Sequence, residues 1–115
     1  MKILIQNGRV IDPASGLDRA CDVALAAGRI IGIGQVPAGF APNRTIDATG
    51  CIVAPGLVDL AVRLREPGHE HEGMLESEMG AAVAGGVTSV VCPPDTDPVL
   101  DEPGLVEMLK FRAEK

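Results

Sequence analysis

The segment from Gly56 to Gly68 constrains the fold most, because two kinds of side chain alternate along it at a period of two residues. Read as a β-strand, its apolar face carries Val58, Leu60, Val62 and Leu64. Its other face carries Asp59, Ala61, Arg63 and Arg65. Either this polar face lies in water at a sheet surface, or it faces a polar site at the carboxyl end of a barrel strand.

Downstream of this strand, helical and strand patterns alternate. The first helical pattern has apolar residues on one face and ends at Gly85-Gly86; the apolar residues are Leu75, Met79, Ala82 and Val83. The β-branched run 87–92 predicts a strand that is buried on both faces. A second helix follows, with Asp101 as its predicted N-cap and Pro103 in its first turn. This βαβα order predicts two parallel strands.

Residues 1–55 predict short strands separated by turns. The predicted strands are 2–6, 9–11, 21–26, 29–33, 44–48 and 51–54. Asn7-Gly8 is a strong hairpin signal, and Ala27-Gly28 predicts a second turn. Short strands at this spacing favour a small β-sandwich or a partial barrel. We therefore predict a β domain over 1–55 and an α/β domain over 56–115.

Two motifs in this chain resemble those of the amidohydrolase superfamily, and of dihydroorotases in particular. One is the run from Ala54 to Asp59, and the other is the Leu-Arg-Glu-Pro-Gly run from Leu64 to Gly68. The first barrel strand of dihydroorotases reads Asp-x-His-x-His-Leu-Arg-Glu-Pro-Gly, and its two histidines bind catalytic zinc. This chain has Ala61 and Arg63 at those positions. Hydantoinases and allantoinases share the Pro-Gly-x-x-Asp strand, but the Leu-Arg-Glu-Pro-Gly run favours dihydroorotases.

The resemblance implies an α/β fold in which a partial β-sandwich precedes the first two βα units of a TIM-type (β/α)8 barrel. A complete barrel needs roughly 250 residues, whereas this chain has 115. We therefore expect the N-terminal portion of such a protein, with an incomplete barrel. A function of these residues as a separate small domain is the weaker alternative.

Positions 61 and 63 are degenerate as metal ligands. Ala61 offers only a methyl group, and the guanidinium of Arg63 stays protonated and has no lone pair. We therefore expect no zinc at these positions, no other cofactor, and no catalytic residue in this chain. Arg63 either replaces the lost metal as a built-in cation that pairs with carboxylates, or extends into solvent along its apolar stem.

The resemblance also suggests where a substrate carboxylate once bound. Dihydroorotases hold it with the arginine of Leu-Arg-Glu-Pro-Gly and the asparagine of a Pro-Asn-Thr segment after the second strand. Arg65 matches the first, and Asp95 replaces the second. An ionised aspartate only accepts hydrogen bonds, so it would repel a carboxylate and could pair with Arg65 instead. We predict that Arg65 and Asp95 are vestigial, although residues 95–98 also fit an ordinary Asx-turn loop.

His69 and His71 repeat the His-x-His spacing just beyond the strand. They lie among Glu70, Glu72 and glycines in a predicted loop. Loop histidines of this kind are ordinarily solvated, and we expect no metal ligation by this pair from sequence alone.

Composition excludes several classes of function. The net charge is −6, and residues 66–115 carry eleven Asp/Glu against three Lys/Arg, which does not suit nucleic-acid binding. Cys21, Cys51 and Cys92 are odd in number and widely spaced, as expected for thiols in a reducing compartment. No run approaches the ~20 apolar residues of a membrane helix. We expect a cytoplasmic protein that binds neither nucleic acid nor membrane.

Two functions remain open at this point. The first is a non-catalytic dihydroorotase-like protein of pyrimidine biosynthesis. The family includes inactive members that are structural partners of aspartate carbamoyltransferase. The second is an active zinc-dependent dihydroorotase or cyclic amidohydrolase with a rearranged site. Exposed sheet edges would further favour a homo-oligomer.

Overall fold

The computed structural model of the protein describes residues 1–114. The chain divides into two compact units, Met1–Pro55 and Gly56–Lys115. Among the described residues, the first unit contains only strands, and the second contains two strands and two helices. Neither of these helices is long and apolar enough to cross a membrane.

Five strands form one sheet in the first unit. They are β1 (Lys2–Asp12), β2 (Leu17–Ala26), β3 (Arg29–Ile33), β4 (Arg44–Asp47) and β5 (Ile52–Val53). The strand order is β3-β2-β1-β4, and β5 also pairs with β1. β1 runs antiparallel to β2 and parallel to both β4 and β5. The long β1 therefore holds this sheet together.

The predicted hairpin at Asn7-Gly8 is wrong. Asn7 has the left-handed backbone conformation (φ 64°) that the Asn-Gly pair favours, but it forms a bulge within β1 rather than a turn. β2 pairs with β1 on both sides of this bulge, so tertiary pairing keeps the strand continuous. Gly8 is required there, because an added Cβ would lie 2.5 Å from Cγ2 of Val53.

The predicted turn between β2 and β3 is confirmed. Ala27 (φ 51°) and Gly28 (φ 71°) both adopt the left-handed conformation that a two-residue hairpin requires. The apolar core of this unit lies around the middle of the sheet, at Val10, Val23, Ala24 and Ala48.

The second unit has the predicted βαβα order. Its elements are β6 (Leu57–Asp59), α1 (Leu75–Ala84), β7 (Val87–Val90) and α2 (Pro103–Ala113). β6 and β7 are parallel, as predicted, with Leu57 opposite Val87. Gly85 caps α1, and the positive φ of Gly86 (86°) turns the chain into β7.

Both strands are shorter than their sequence patterns predicted, because β6 covers only the start of the alternating segment that begins at Gly56, and β7 ends two residues before the end of the predicted 87–92. Regular structure in β6 stops at Asp59, whose Oδ1 accepts a hydrogen bond from the backbone N–H of Ala61 at 3.0 Å. This Asx turn interrupts the regular strand, although the N–H of Val62 still donates to the carbonyl of Val91 at 3.0 Å. The predicted N-cap of α2 is also one residue off, because Glu102 is the cap and Pro103 takes the first helical position.

Candidate functional site

The candidate site lies in the second unit, where the chain leaves β6 and β7. A cavity of about 210 Å³ opens there. It is small beside typical ligand pockets of about 300–1,000 Å³. Its polar lining includes both arginines of the predicted site, Arg63 and Arg65, together with Asp95 and His69, and its apolar lining includes Leu64 and Leu100.

Arg63 and Asp95 form an ion pair at this cavity. Nε and Nη2 of Arg63 both donate to Oδ2 of Asp95, at 3.0 and 2.9 Å. The hydrogen bonds from Arg63 hold the pKa of the Asp95 carboxyl below its usual range, and the charge of Arg65 contributes weakly. Each side chain of the pair is 54% exposed, so the pair is a surface feature with little effect on stability.

Arg65 has a different partner from the one predicted. Its Nη1 lies 3.3 Å from Oε2 of Glu72, while Asp95 binds Arg63 instead. The chain turns at Arg65, whose backbone is in the left-handed region (φ 65°). The backbone N–H of His69 then donates to the Arg65 carbonyl at 2.8 Å, which brings the 69–72 loop back towards this arginine.

Ala61 lies exposed after the Asx turn and contributes no polar side-chain atom. The two degenerate positions therefore offer a zinc ion a methyl group and a guanidinium that is already bound to Asp95. Neither group has a lone pair to donate to a metal. The residues at positions 61 and 63 do not fit zinc.

Glu66 is the residue that sequence reasoning missed. It is buried at 3% exposure, and its Oε1 accepts a hydrogen bond from the backbone N–H of Leu75 at the start of α1, at 3.0 Å. Its Oε2 lies 2.8 Å from Nη2 of Arg112 on α2. Among residues 1–114 no donor has hydrogen-bond geometry to that oxygen, so Arg112 compensates its charge without an aligned bond.

The sequence pattern does not explain this burial. Residue 66 continues the period-two series that ends at Leu64, but Val58 and Leu60 of the same series are 61% and 73% exposed. The Arg-Glu-Pro-Gly run by itself predicts only a turn. In the structure, its glutamate joins the loop to the first turn of α1 and to the last turn of α2.

Two further groups line or border the cavity. Partial burial raises the pKa of the Cys92 thiol, which therefore stays protonated at neutral pH. The carboxylate of Glu70 accepts a hydrogen bond from the backbone N–H of Gly68 at 3.0 Å. Backbone hydrogen bonds from Glu70 itself and from Gly68 hold the pKa of this carboxyl below its usual range.

The two histidines approach the same carboxylate oxygen of one glutamate. Nδ1 of His69 and Nε2 of His71 are each 3.7 Å from Oε1 of Glu72. The ligand atoms of these three residues lie within 4.8 Å of one another. The three side chains are exposed, as predicted for the histidines, but they are brought together in a way the sequence did not reveal.

Comparison with known proteins identifies the family. A family model described as dihydro-orotase-like matches residues 50–115, more than half of the chain. The chain belongs to the dihydroorotase-like family. It is 54% identical over 113 residues to a "Dihydroorotase-like protein" of Pseudomonas aeruginosa, covering 98% of this chain and 27% of that protein. It is also 54% identical over 107 residues to a "Dihydroorotase" of Solibacter usitatus, covering 88% of this chain and 23% of that protein.

Solved structures support the same placement. An L-hydantoinase (dihydropyrimidinase) from Arthrobacter aurescens superposes with a TM-score of 0.81 at 26% identity, over 96% of this chain and 24% of that one. A D-hydantoinase gives a TM-score of 0.73 at 28% identity, over 98% of this chain and 24% of that one. The predicted fold class is confirmed: a partial β-sandwich followed by the first two βα units of an amidohydrolase barrel. The chain spans about a quarter of the length of these relatives.

Proposed function

We propose that this dihydroorotase-like protein is non-catalytic and acts in pyrimidine biosynthesis as a structural partner of aspartate carbamoyltransferase. One observation carries the proposal. Arg63 occupies a position where dihydroorotases have a zinc ligand, and its guanidinium is bound to Asp95. Both members of this pair are departures from the dihydroorotase motifs, and they contact each other.

The pair supports the interpretation of Arg63 as a built-in cation. In an active family member, a bound divalent ion supplies positive charge and activates water. Arg63 supplies a fixed positive charge, and Asp95 neutralises it. A guanidinium neither ligates nor ionises a water molecule, so the charge is replaced while the nucleophile is lost. The fold around the site can then be retained for assembly.

The names of the relatives also support this proposal. Proteins of Pseudomonas aeruginosa and Pseudomonas putida that are named "Dihydroorotase-like protein" are 54% and 56% identical to this chain. A name of that form separates them from the relatives that are named "Dihydroorotase". The partnership with aspartate carbamoyltransferase is proposed from the family resemblance, and co-purification of the two proteins tests it.

A second candidate is hydrolysis of the amide ring of dihydroorotate. It is favoured by the 54% and 47% identity to proteins named "Dihydroorotase" and by the retention of Arg65, a suitable group for a substrate carboxylate. This candidate requires metal ligands other than residues 61 and 63. It also requires Arg65 to leave Glu72, its partner in the structure.

One experiment separates the two candidates. The intact protein is purified, supplied with zinc, and assayed for dihydroorotate ring opening, and it is also co-expressed with the aspartate carbamoyltransferase of the same organism. We expect no turnover above the uncatalysed rate, and co-elution of the two proteins in size-exclusion chromatography. Turnover that a chelator abolishes would establish the second candidate, and separate elution would contradict the partnership.

A further inference from the structure

The 69–72 loop holds a group of side chains that the proposed function does not use. We propose that His69, His71 and Glu72 form a binding site for a zinc-class divalent metal ion. The site does not include positions 61 or 63, and it does not depend on whether the protein is catalytic. It contradicts our expectation from sequence that this histidine pair is merely solvated.

The distances suit a tetrahedral ion. Zinc bonds to imidazole nitrogen and to carboxylate oxygen at about 2.0–2.2 Å, which places neighbouring ligand atoms of a tetrahedron about 3.3 Å apart. Oε1 of Glu72 lies 3.7 Å from Nδ1 of His69 and 3.7 Å from Nε2 of His71. The two histidine–glutamate distances exceed this separation by only a few tenths of an ångström, all three ligand atoms lie within 4.8 Å of one another, and the two imidazoles are exposed and can rotate towards a common ion.

The backbone creates this arrangement. The N–H of His69 donates to the carbonyl of Arg65 at 2.8 Å, and the N–H of Glu72 donates to the carbonyl of His69 at 2.9 Å. These two bonds fold the loop into consecutive turns. They bring Glu72 within reach of both histidines, whereas in an extended segment its side chain would point to the face opposite to theirs.

The two oxygens of Glu72 have separate roles. Oε1 faces the two imidazoles, and Oε2 lies 3.3 Å from Nη1 of Arg65. Metal-binding carboxylates are commonly held by such an outer hydrogen-bonding or charged group, which fixes the orientation of the ligand. Arg65 therefore acts as a positioning residue for Glu72, because it contacts the carboxylate oxygen that the histidines do not approach.

Access and charge favour binding as well. His69, His71 and Glu72 are 47%, 74% and 45% exposed, which leaves room for an ion to enter and for a water as fourth ligand. Residues 66–115 carry eleven acidic residues against three basic ones, so the surrounding potential attracts cations. Two imidazoles and one carboxylate are a donor set that suits zinc better than calcium or magnesium.

Isothermal titration of zinc into the intact protein at neutral pH tests the proposal. We expect the loop site to be lost or weakened at least tenfold in His69→Ala, in His71→Ala and in Glu72→Gln. Arg65→Gln weakens binding by about tenfold, because removal of an outer-shell partner typically costs 10–100-fold in metal affinity. The matched control is Glu76→Gln, which removes an exposed carboxylate nearby and leaves zinc affinity unchanged.

Cobalt(II) as a spectroscopic probe excludes binding by the three thiols, because thiolate ligation gives an intense charge-transfer band that imidazole and carboxylate ligands lack. We expect the wild-type spectrum to lack that band and the His71→Ala spectrum to lose its tetrahedral d–d absorption. Far-UV circular dichroism verifies that the variants are folded. The proposal is overturned by an absence of zinc binding, by binding that all histidine variants retain, or by a thiolate band.

Discussion

Glu66→Ala is expected to destabilise the second unit strongly, because it removes a buried carboxylate that contacts both helices. Glu66 Oε1 accepts the N–H of Leu75, one of the backbone donors at the start of α1 that have no partner within the helix. A hydrogen bond that involves a charged group contributes about 1.5–3 kcal/mol. The favourable position of a carboxylate at a helix N-terminus adds up to about 1 kcal/mol.

Loss of the ion pair with Arg112 adds less to the destabilisation caused by Glu66→Ala than loss of the hydrogen bond to Leu75. The Arg112 side chain is 43% exposed, so the freed guanidinium is hydrated when Glu66 is removed. The expected loss is therefore about 3 kcal/mol in the free energy of unfolding, which corresponds to roughly 12–24 °C in Tm for a unit of this size. Removing Arg112 instead leaves a carboxylate that is 2% exposed without its counter-charge, so Arg112→Ala is expected to be at least as destabilising.

Urea unfolding followed by the helical circular dichroism signal measures this effect specifically. Both helices of residues 1–114 lie in the second unit, so the signal reports that unit. The matched control is Glu107→Ala, which removes a carboxylate 3.0 Å from Lys110 in an exposed pair and is expected to cost less than about 0.5 kcal/mol. If Glu66→Ala is no more destabilising than Glu107→Ala, the reasoning about the buried carboxylate is refuted.

Three further predictions concern glycines and pH. Gly80→Ala is expected to raise the stability of the second unit by up to about 1 kcal/mol in urea unfolding, because an added Cβ on this helical glycine meets no atom within 4 Å; a loss of stability would contradict this. Gly8→Ala is expected to lower the melting temperature of the first unit, since its Cβ would lie 2.5 Å from Val53 Cγ2; an unchanged temperature would count against the tight β1–β5 approach. Hydrogen bonds from Thr49 and Asn7 lower the pKa of Asp47, so its contribution to stability is complete above the ordinary aspartate pKa of about 4 and disappears as the pH falls through the lowered value. Acid unfolding of wild type and Asp47→Asn measures this, and an equal loss of stability in acid for both proteins would refute it.

Local sequence signals predicted one turn, one helix end and one strand pairing correctly. The Ala27-Gly28 turn, the end of α1 at Gly85-Gly86 and the parallel pairing of β6 with β7 follow from the chemistry of a few neighbouring residues. Such signals are reliable because glycine tolerates the positive φ that a two-residue hairpin turn or the end of a helix requires.

Features that depend on tertiary contacts were not predictable in this way. Asn7-Gly8 predicted a hairpin, and only the pairing of β2 on both sides of Asn7 decides that the result is a bulge. Whether Asp95 contacts Arg63 or Arg65 depends on the backbone turn at Arg65, which a sequence pattern does not specify. The burial of Glu66 depends on α2, whose Arg112 lies 46 positions further along the chain and approaches it only in the folded unit.

At the candidate site, residue type and tertiary geometry each determine a different feature. The residue types at positions 61 and 63 are enough to exclude two imidazole ligands there. The folded loop decides that Asp95 is the partner of Arg63, and it brings His69, His71 and Glu72 together. Both sets of contacts form where the chain turns. A period-two pattern of side chains does not predict the geometry of a turn.

Zinc-edge anomalous scattering from crystals of the intact protein grown with zinc would locate any metal ion beside positions 61 and 63. We expect Arg63 to remain bound to Asp95 and no zinc to lie within bonding distance of residue 61 or 63. A zinc ion in that place, with the Arg63 side chain displaced from Asp95, would contradict this expectation.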